Sequence, residues 1–546
     1  MPHYLKQLST VLGLSLVTAC LSPEEHAANA DKEVYALLAS RRAQLSSDPD
    51  SFEIVEDPDS LRKRLLAGEA APTDPIGLTE VLLIASENSR DFQDRRERLY
   101  LTALDLTLER WRLGWIPSEG SGSVSVTETG RGDNSDPLDA DANFGLSRLF
   151  GDGGQIIAGI GVDLWRLISS GPGEGASGVL SLSITQPLLR GAGRRIVLEP
   201  LTQAERDLVY EVRSYERFRK TFAVEVASRY YQVLSQMDEA KNAELNYSNL
   251  ATLSERNRAL ANAGRLDDLQ LDQVKQDELR SEDRLLSSRA SLRSTLDEFK
   301  YYLGLPIGVE LTFDSADLDR FAEEAPVAVE LEEDLLISVA MASRLDYLTI
   351  LDELEDAERR VELTEDALRA GLDFVASAST NSADGQPAKF EFDDTSWSLG
   401  LALDMPLDQL PERNAYRSSL ISRDATRRSA EAFGDSIRVS LRDALRESKT
   451  AFRTYNIQLE SVTLAERRVE STNLRLEAGR AEIRDILEAQ EALLDSRNSV
   501  TNSLVEFQLA KLALYRDTEH LEVGEGGIST RPIVREDPQD TGARGQ

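Results

Sequence analysis

Residues 179–194 read Val-Leu-Ser-Leu-Ser-Ile-Thr-Gln-Pro-Leu-Leu-Arg-Gly-Ala-Gly-Arg. Leu180, Leu182 and Ile184 alternate with Ser181, Ser183 and Thr185, the period of two that gives a strand one apolar and one polar face. Pro187 has no N–H to give to a ladder, so pairing is predicted to stop there. Gly191 and Gly193 form a corner, and helical spacing begins at Ile196. The plan recurs where Trp397, Leu399, Leu401, Leu403 and Met405 alternate with Ser398, Gly400, Ala402 and Asp404, ahead of Pro406 and Leu407. The second copy has Pro411 in place of the Gly-Ala-Gly corner, so the two joints are expected to turn differently. Two copies imply a duplicated architecture.

Each of these strands leads into a long helix. Leu201, Ala204, Leu208, Val212, Tyr215, Phe222, Val226, Tyr230, Val233, Met237, Ala240, Tyr247 and Leu250 are spaced by threes and fours, as in a coiled-coil seam. At 1.5 Å per residue such a helix is ~100 Å long. Ala263-Gly264-Arg265 breaks it, and a return helix is expected from about Leu266 to Leu303. The second long helix carries Phe433, Ile437, Leu441, Ala444, Ser448, Phe452, Tyr455, Leu459, Val462, Val469, Asn473 and Leu476 on one seam, and breaks at Ala478-Gly479-Arg480. An offset of 215 aligns the two Ala-Gly-Arg turns and sets Leu271 against Ile486.

These landmarks divide the chain. Residues 1–19 read as a signal peptide, 20–76 as an N-terminal tether with an amphipathic piece at Val34–Leu45, and 77–306 as the first repeat. A linker at 307–334 leads to the second repeat at 335–518, and 519–546 reads as a polar, disordered tail. Each repeat should open with a helix, Leu78–Leu113 and Leu335–Leu368, then offer two strands: Ser123–Thr129 and the 179–187 stretch, then Leu372–Thr380 and Ser396–Met405. Residues 130–178 read as an inserted extra hairpin or long loop. Within it Asp139, Asp141 and Asn143 imitate the start of a calcium loop, but Phe150 stands where the closing glutamate belongs, so a solvated loop is expected. Arg131-Gly132-Asp133 reads as chance.

Composition limits the function. The net charge is −34, from 62 basic and 96 acidic residues, which argues against nucleic acid or an anionic membrane surface as the main partner. His3, His26 and His520 are the three histidines, Cys20 is the one cysteine, and no catalytic set, metal spacing or phosphate loop is present. The chain therefore reads as a non-enzyme without cofactor or metal. Lys6, the apolar run Leu8–Val17 and the small residues before Cys20 resemble a bacterial lipoprotein signal, with Cys20 as the lipidated residue. The alternative is an ordinary secretion signal, and on either reading the protein leaves the cytoplasm. No later stretch has the ~20 apolar residues a membrane helix needs, so a membrane crossing would be made by strands. Four strands cannot close a barrel, since the smallest have about eight, so several chains must share one.

Gln186-Pro187-Leu188-Leu189-Arg190-Gly191, the duplicated helix-strand-strand-helix plan, the glycine-centred hairpin breaks and Tyr301-Tyr302-Leu303-Gly304-Leu305-Pro306 together resemble the TolC-type outer membrane efflux protein family, over about residues 77–518. The resemblance implies an α+β membrane protein, a homotrimer in which four strands per chain make a twelve-stranded β-barrel and the helical hairpins an α-barrel. It implies an outer membrane location with a large periplasmic portion, and work beside a periplasmic adaptor and an inner-membrane transporter as the exit duct of an efflux or type I secretion system. Many relatives are lipidated at a cysteine like Cys20.

By the same resemblance Asp485 and Glu488, six and nine residues after Gly479, match the acidic rings at the periplasmic entrance and are the candidate channel gate. Their first-repeat counterparts are Gln270 and Gln273, and Ala481 stands where the family places a constricting arginine, with Arg480 one place early. Gly264, Arg265, Gly479 and Arg480 form candidate adaptor-contact tips. Asp485 and Glu488 as a plain solvated helix face is the competing reading. Two other classes stay open, a periplasmic coiled-coil adaptor and a non-conducting scaffold lipoprotein, although an adaptor usually carries a single hairpin.

Overall fold

The structure, a computed structural model, describes residues 22–533 apart from 43–51, 56–57, 70–71, 73, 118–120, 127–136, 168–173, 324–327, 329, 384–385, 388 and 525. In chain order the helices and strands are α1 (Pro23–Arg42), α2 (Leu61–Leu66), α3 (Leu78–Asn88), α4 (Arg90–Arg112), β1 (Trp115–Pro117), β2 (Ser121–Val126), β3 (Pro137–Leu149), β4 (Gln155–Leu167) and β5 (Glu174–Pro187). Next come α5 (Arg194–Val197), α6 (Glu199–Asn262), α7 (Asp268–Tyr302), α8 (Ala316–Glu323), α9 (Glu333–Ser343), α10 (Leu345–Asp366), β6 (Gly371–Asn381) and β7 (Ser396–Asp404). The chain closes with α11 (Leu410–Glu477), α12 (Ile483–Asp517), β8 (Leu521–Gly524) and β9 (Gly527–Thr530).

The duplication is visible in the lengths. Helices α3, α4, α6 and α7 have 11, 23, 64 and 35 residues, and α9, α10, α11 and α12 have 11, 22, 68 and 35. Each expected opening helix is in fact two. Ser89 interrupts the first (φ −72, ψ 130) and Arg344 the second (φ −69, ψ 114), both extended. Asn88 hydrogen-bonds the Ile84 carbonyl at 2.8 Å, and Arg344 donates to Asp346 at 2.9 Å, local polar bonds that compete with helix continuation.

The chain divides into two compact units. The first joins residues 1–40, 99–211 and 350–430 and holds the sheet, in the order β1-β3-β4-β5-β6-β7 with β2 also on β3, antiparallel throughout. Stretch 130–178, read as a hairpin or loop, supplies β3 and β4 and the start of β5. The expected four strands are all present, and the inserted stretch takes the form of the extra hairpin, β3 and β4. Asp139, Asp141 and Asn143 lie along β3, correcting the expected solvated loop. In the tether, the described part of the expected amphipathic piece lies in α1, which buries Val34 and Leu38, and Tyr100 donates to Asp31 at 2.7 Å.

The second unit joins residues 41–98, 212–349 and 431–546. Its core includes Leu336, Ala340, Ile437, Leu441, Leu445, Leu514 and Ile533, with Phe452 packed on Phe507 in a neighbouring cluster. The expected seam of α6 holds at Val212, Tyr215, Phe222, Val226, Tyr230 and Val233, all buried. In α11 the expected seam fails toward its end, where Leu459 and Asn473 are exposed within a single chain. The tail needs correction through residue 533. β8 and β9 pair, Leu521 and Ile533 are buried, and Glu519 turns at φ 62 under ion pairs from Arg217 and Lys220 at 2.7 and 2.6 Å. Buried apolar anchors outweigh the glycine-rich composition there.

Candidate functional site

Register makes the sheet two-faced. On one face Ile160 stands between Phe144 and Leu180, and Ala378 pairs with Trp397 and Phe374 with Leu401. On the other, Gly159 stands between Gly145 and Ser181, Ser181 meets Ser379, and Ser377 meets Ser398 with hydroxyls 2.8 Å apart. Ser123 of β2 hydrogen-bonds Asp141 of β3 on this polar face. The apolar face is bare: Trp397, Leu399, Leu401 and Leu403 are 73, 62, 67 and 62 % exposed. Among the described residues β7 pairs only with β6, and β1 and β2 only with β3, leaving two open edges. Such a surface suits lipid on one side and water on the other.

The quoted joint is built at the foot of β5. Gly191 (φ 75) and Gly193 (φ 100) take left-handed turns that other residues rarely adopt. The Gly191 N–H donates to Asp366 at 2.7 Å, and Arg190 to Asp404 at 2.6 Å. At the second joint Pro411 occupies the first turn of α11, where its missing N–H costs nothing, and Gln409 donates to the Leu368 carbonyl at 3.1 Å. The joints differ as the two sequences suggest.

At the far ends of the long helices lie two matched turns. In the first, Arg265 N–H reaches the Leu260 carbonyl and Gly264 N–H the Ala261 carbonyl, both at 2.9 Å. In the second, Arg480 reaches Arg475 at 2.8 Å and Gly479 reaches Leu476 at 3.0 Å. This is the Schellman pattern, with Gly264 (φ 71) and Gly479 (φ 66) at the left-handed position. Arg265 and Arg480 are exposed. The two hairpins pack on each other through Leu250, Val274, Ile483 and Leu487.

Asp485 and Glu488 lie one turn apart near the start of α12. Asp485 also has a local role, accepting the Glu482 N–H at 3.0 Å in a capping box. Glu488 is exposed between Arg484 and Arg468, each at 3.7 Å. A polar groove beside it is lined by Asn246, Gln273, Arg280, Arg284, Glu488 and Glu491, and Arg284 pairs with Glu491 at 3.3 Å. Burial tends to raise the nearby Glu278 carboxyl, but Lys275 at 2.9 Å holds it below its ordinary value. Cys20 lies outside the described residues, as does Arg131-Gly132-Asp133. Among the described residues no group of carboxylates, histidines or cysteines is arranged to hold a metal, and no helix is long and apolar enough to cross a membrane.

A polar zipper between α6 and α12 is a feature that the residue spacing did not predict. Asn242 donates to Asn498 at 3.0 Å, Ser235 to Asn502 at 2.5 Å and Thr501 to Asp238 at 2.6 Å. Ser235, Asp238 and Asn242 lie beside the Val233, Met237 and Ala240 seam and not on it, so apolar spacing carried no signal for them.

The chain combines a sheet with one apolar and one polar face and paired helical hairpins, and this fold is shared with solved outer membrane channels. The fold is similar to the outer membrane protein VceC of Vibrio cholerae at 14% identity, covering 81% of this chain and 95% of that one, with a TM-score of 0.59. It is similar to the CmeC outer membrane channel of Campylobacter jejuni, again at 14% identity and TM-score 0.59, over 86% and 89% of the two chains. Residues 336–517 match the profile of the outer membrane efflux protein family. No curated protein matches the chain by sequence comparison.

Proposed function

We propose that three copies of this chain form the exit duct of a tripartite efflux or type I secretion system, conducting passively what an inner-membrane pump and a periplasmic adaptor deliver. The observation that carries this reading is the sheet's pair of open edges. β7 and β1/β2 run antiparallel to each other, so the edge of one copy can complete that of the next, and an open edge in lipid leaves backbone groups unsatisfied. A second apolar stripe supports self-association: Val439, Ile457 and Leu464 of α11 share one helical face and are exposed.

In this assembly the exposed turns at Gly264-Arg265 and Gly479-Arg480 face the adaptor, and Asp485 and Glu488 from three chains form a negative ring that favours cations. Cys20 carries the lipid anchor. The test is purification from outer membranes, native mass measurement and planar-bilayer recording. A trimer with discrete cation-favouring conductance is expected, and a monomer with no conductance would refute the duct.

A further inference from the structure

β1 and β2 lie end to end along β3, Trp115–Pro117 opposite 146–148 and Ser121–Val126 opposite 138–143. The seven strands therefore make six lines of wall, two of them from the β3–β4 hairpin. We propose that this hairpin is part of the barrel, so that the trimer closes an eighteen-stranded barrel in place of the twelve-stranded one the family resemblance implied. The inference rests on the trimeric duct reading above.

Three observations support it. β3 and β4 have 13 residues each, enough to cross a bilayer, which takes about 9 to 11. They pair with each other over their full length, and β4 pairs with β5 without a break. Their faces also continue those of their neighbours: Phe144 and Ile160 stand in line with Leu180, and Asn143 and Gly161 fall on the polar face. A hairpin lying in water outside the wall would have no use for an apolar face, and Phe144 and Ile160 are 53 and 37 % exposed in the single chain.

The hairpin's turn is also tied to the joint. Gly193 N–H reaches the Asp152 carbonyl at 3.2 Å and Gln186 reaches it at 3.3 Å, holding the turn at the foot of β5. β3 and β4 thus add wall without adding a helix. An even number of lines per chain keeps every junction antiparallel, as barrel closure requires. At equal strand tilt the barrel is about 1.5-fold wider than a twelve-stranded one, and barrels of about 18 strands already hold an open aqueous channel. The outer opening then sets no size limit on cargo, and any such limit falls to the helical portion.

Electron cryo-microscopy of the full-length protein in lipid nanodiscs tests this directly. Eighteen strands are expected, and a trimer with twelve strands and residues 137–167 outside the wall would overturn the inference while leaving the duct reading standing. Failure to form any trimer would sink the duct reading itself and the eighteen-strand barrel with it. A second measurement uses Phe144→Cys, Ile160→Cys and Asn143→Cys, labelled in intact outer membranes with a membrane-impermeant maleimide, with the unsubstituted chain as background. Labelling at Asn143→Cys and its loss at the other two is expected. Equal labelling at all three would place the hairpin in water and overturn the inference.

Discussion

Arg190 and Asp404 meet at 2.6 Å, joining the foot of β5 to the foot of β7 across the intervening β6. The two copies of the strand-to-helix joint are thus bonded to each other. Their side chains are 35 and 67 % exposed, so Arg190→Ala should cost only about 0–1 kcal/mol.

The glycines beside that pair are predicted to matter more, and unequally. Gly191→Ala meets no neighbour and pays only for the left-handed backbone, about 1 kcal/mol. Gly153→Ala carries the same strain and also sets its Cβ 2.7 Å from Pro187 and 2.9 Å from the Gly191 carbonyl. Thermal denaturation in detergent should rank Gly153→Ala clearly below Gly191→Ala; equal midpoints would mean the turn is not seated on the joint.

Asp485 caps a helix, and the proposed gate also needs its charge. Asp485→Ala should lose about 0.5–2 kcal/mol of helix stability together with cation preference. Asp485→Asn keeps an oxygen to accept the Glu482 N–H but carries no charge. Paired with Glu488→Gln, it should leave the melting midpoint nearly unchanged while shifting the reversal potential in a salt gradient toward anions. An unshifted potential would make Asp485 a cap only.

Glu353 shares a polar groove with Gln203, Asp207, Tyr210, Asp356 and Arg360. Burial, and then the charge of Asp356, push its carboxyl above the ordinary range. A raised folded value means that the group's contribution to stability is present at low pH and lost as the pH rises through that value. Glu353→Gln should therefore melt higher than the parent at neutral pH, with the difference shrinking as the pH falls toward about 4. A pH-independent difference would mean that ionisation of Glu353 is not the cause.

Phe507 is 1 % exposed and packs on Phe452 at 5.5 Å between ring centres. Phe507→Ala should cost about 3–5 kcal/mol through the cavity it leaves. Leu459→Ala, on the exposed part of the α11 seam, should cost far less in a monomeric detergent preparation and more in the assembled trimer. Comparing the two states by denaturation checks whether that face is covered by a second copy.

Much of this was legible in residue order because periodicity is a local property. The alternation Leu180, Leu182, Ile184, the stop at Pro187, the spacing of the α6 seam and the paired Ala-Gly-Arg breaks each predicted their element, since a strand or helix is set by residues a few positions apart. Strand number was not legible. Residues 130–178 alternate less cleanly, with glycines on the polar face, and only pairing with neighbours distant in sequence shows Gly145, Gly159 and Ser181 as one continuous surface.

The sequence by itself determined the duplication, the joints and the hairpin turns, because each depends on local spacing and on backbone conformations that proline and glycine favour. Tertiary structure alone decided that the strands form six lines of one sheet, that Asp485 is a cap as well as a charge, and that residues 521–533 fold back onto a core. Register, burial and salt-bridge partners depend on contacts between segments far apart in the chain, and those contacts exist only once the chain has folded.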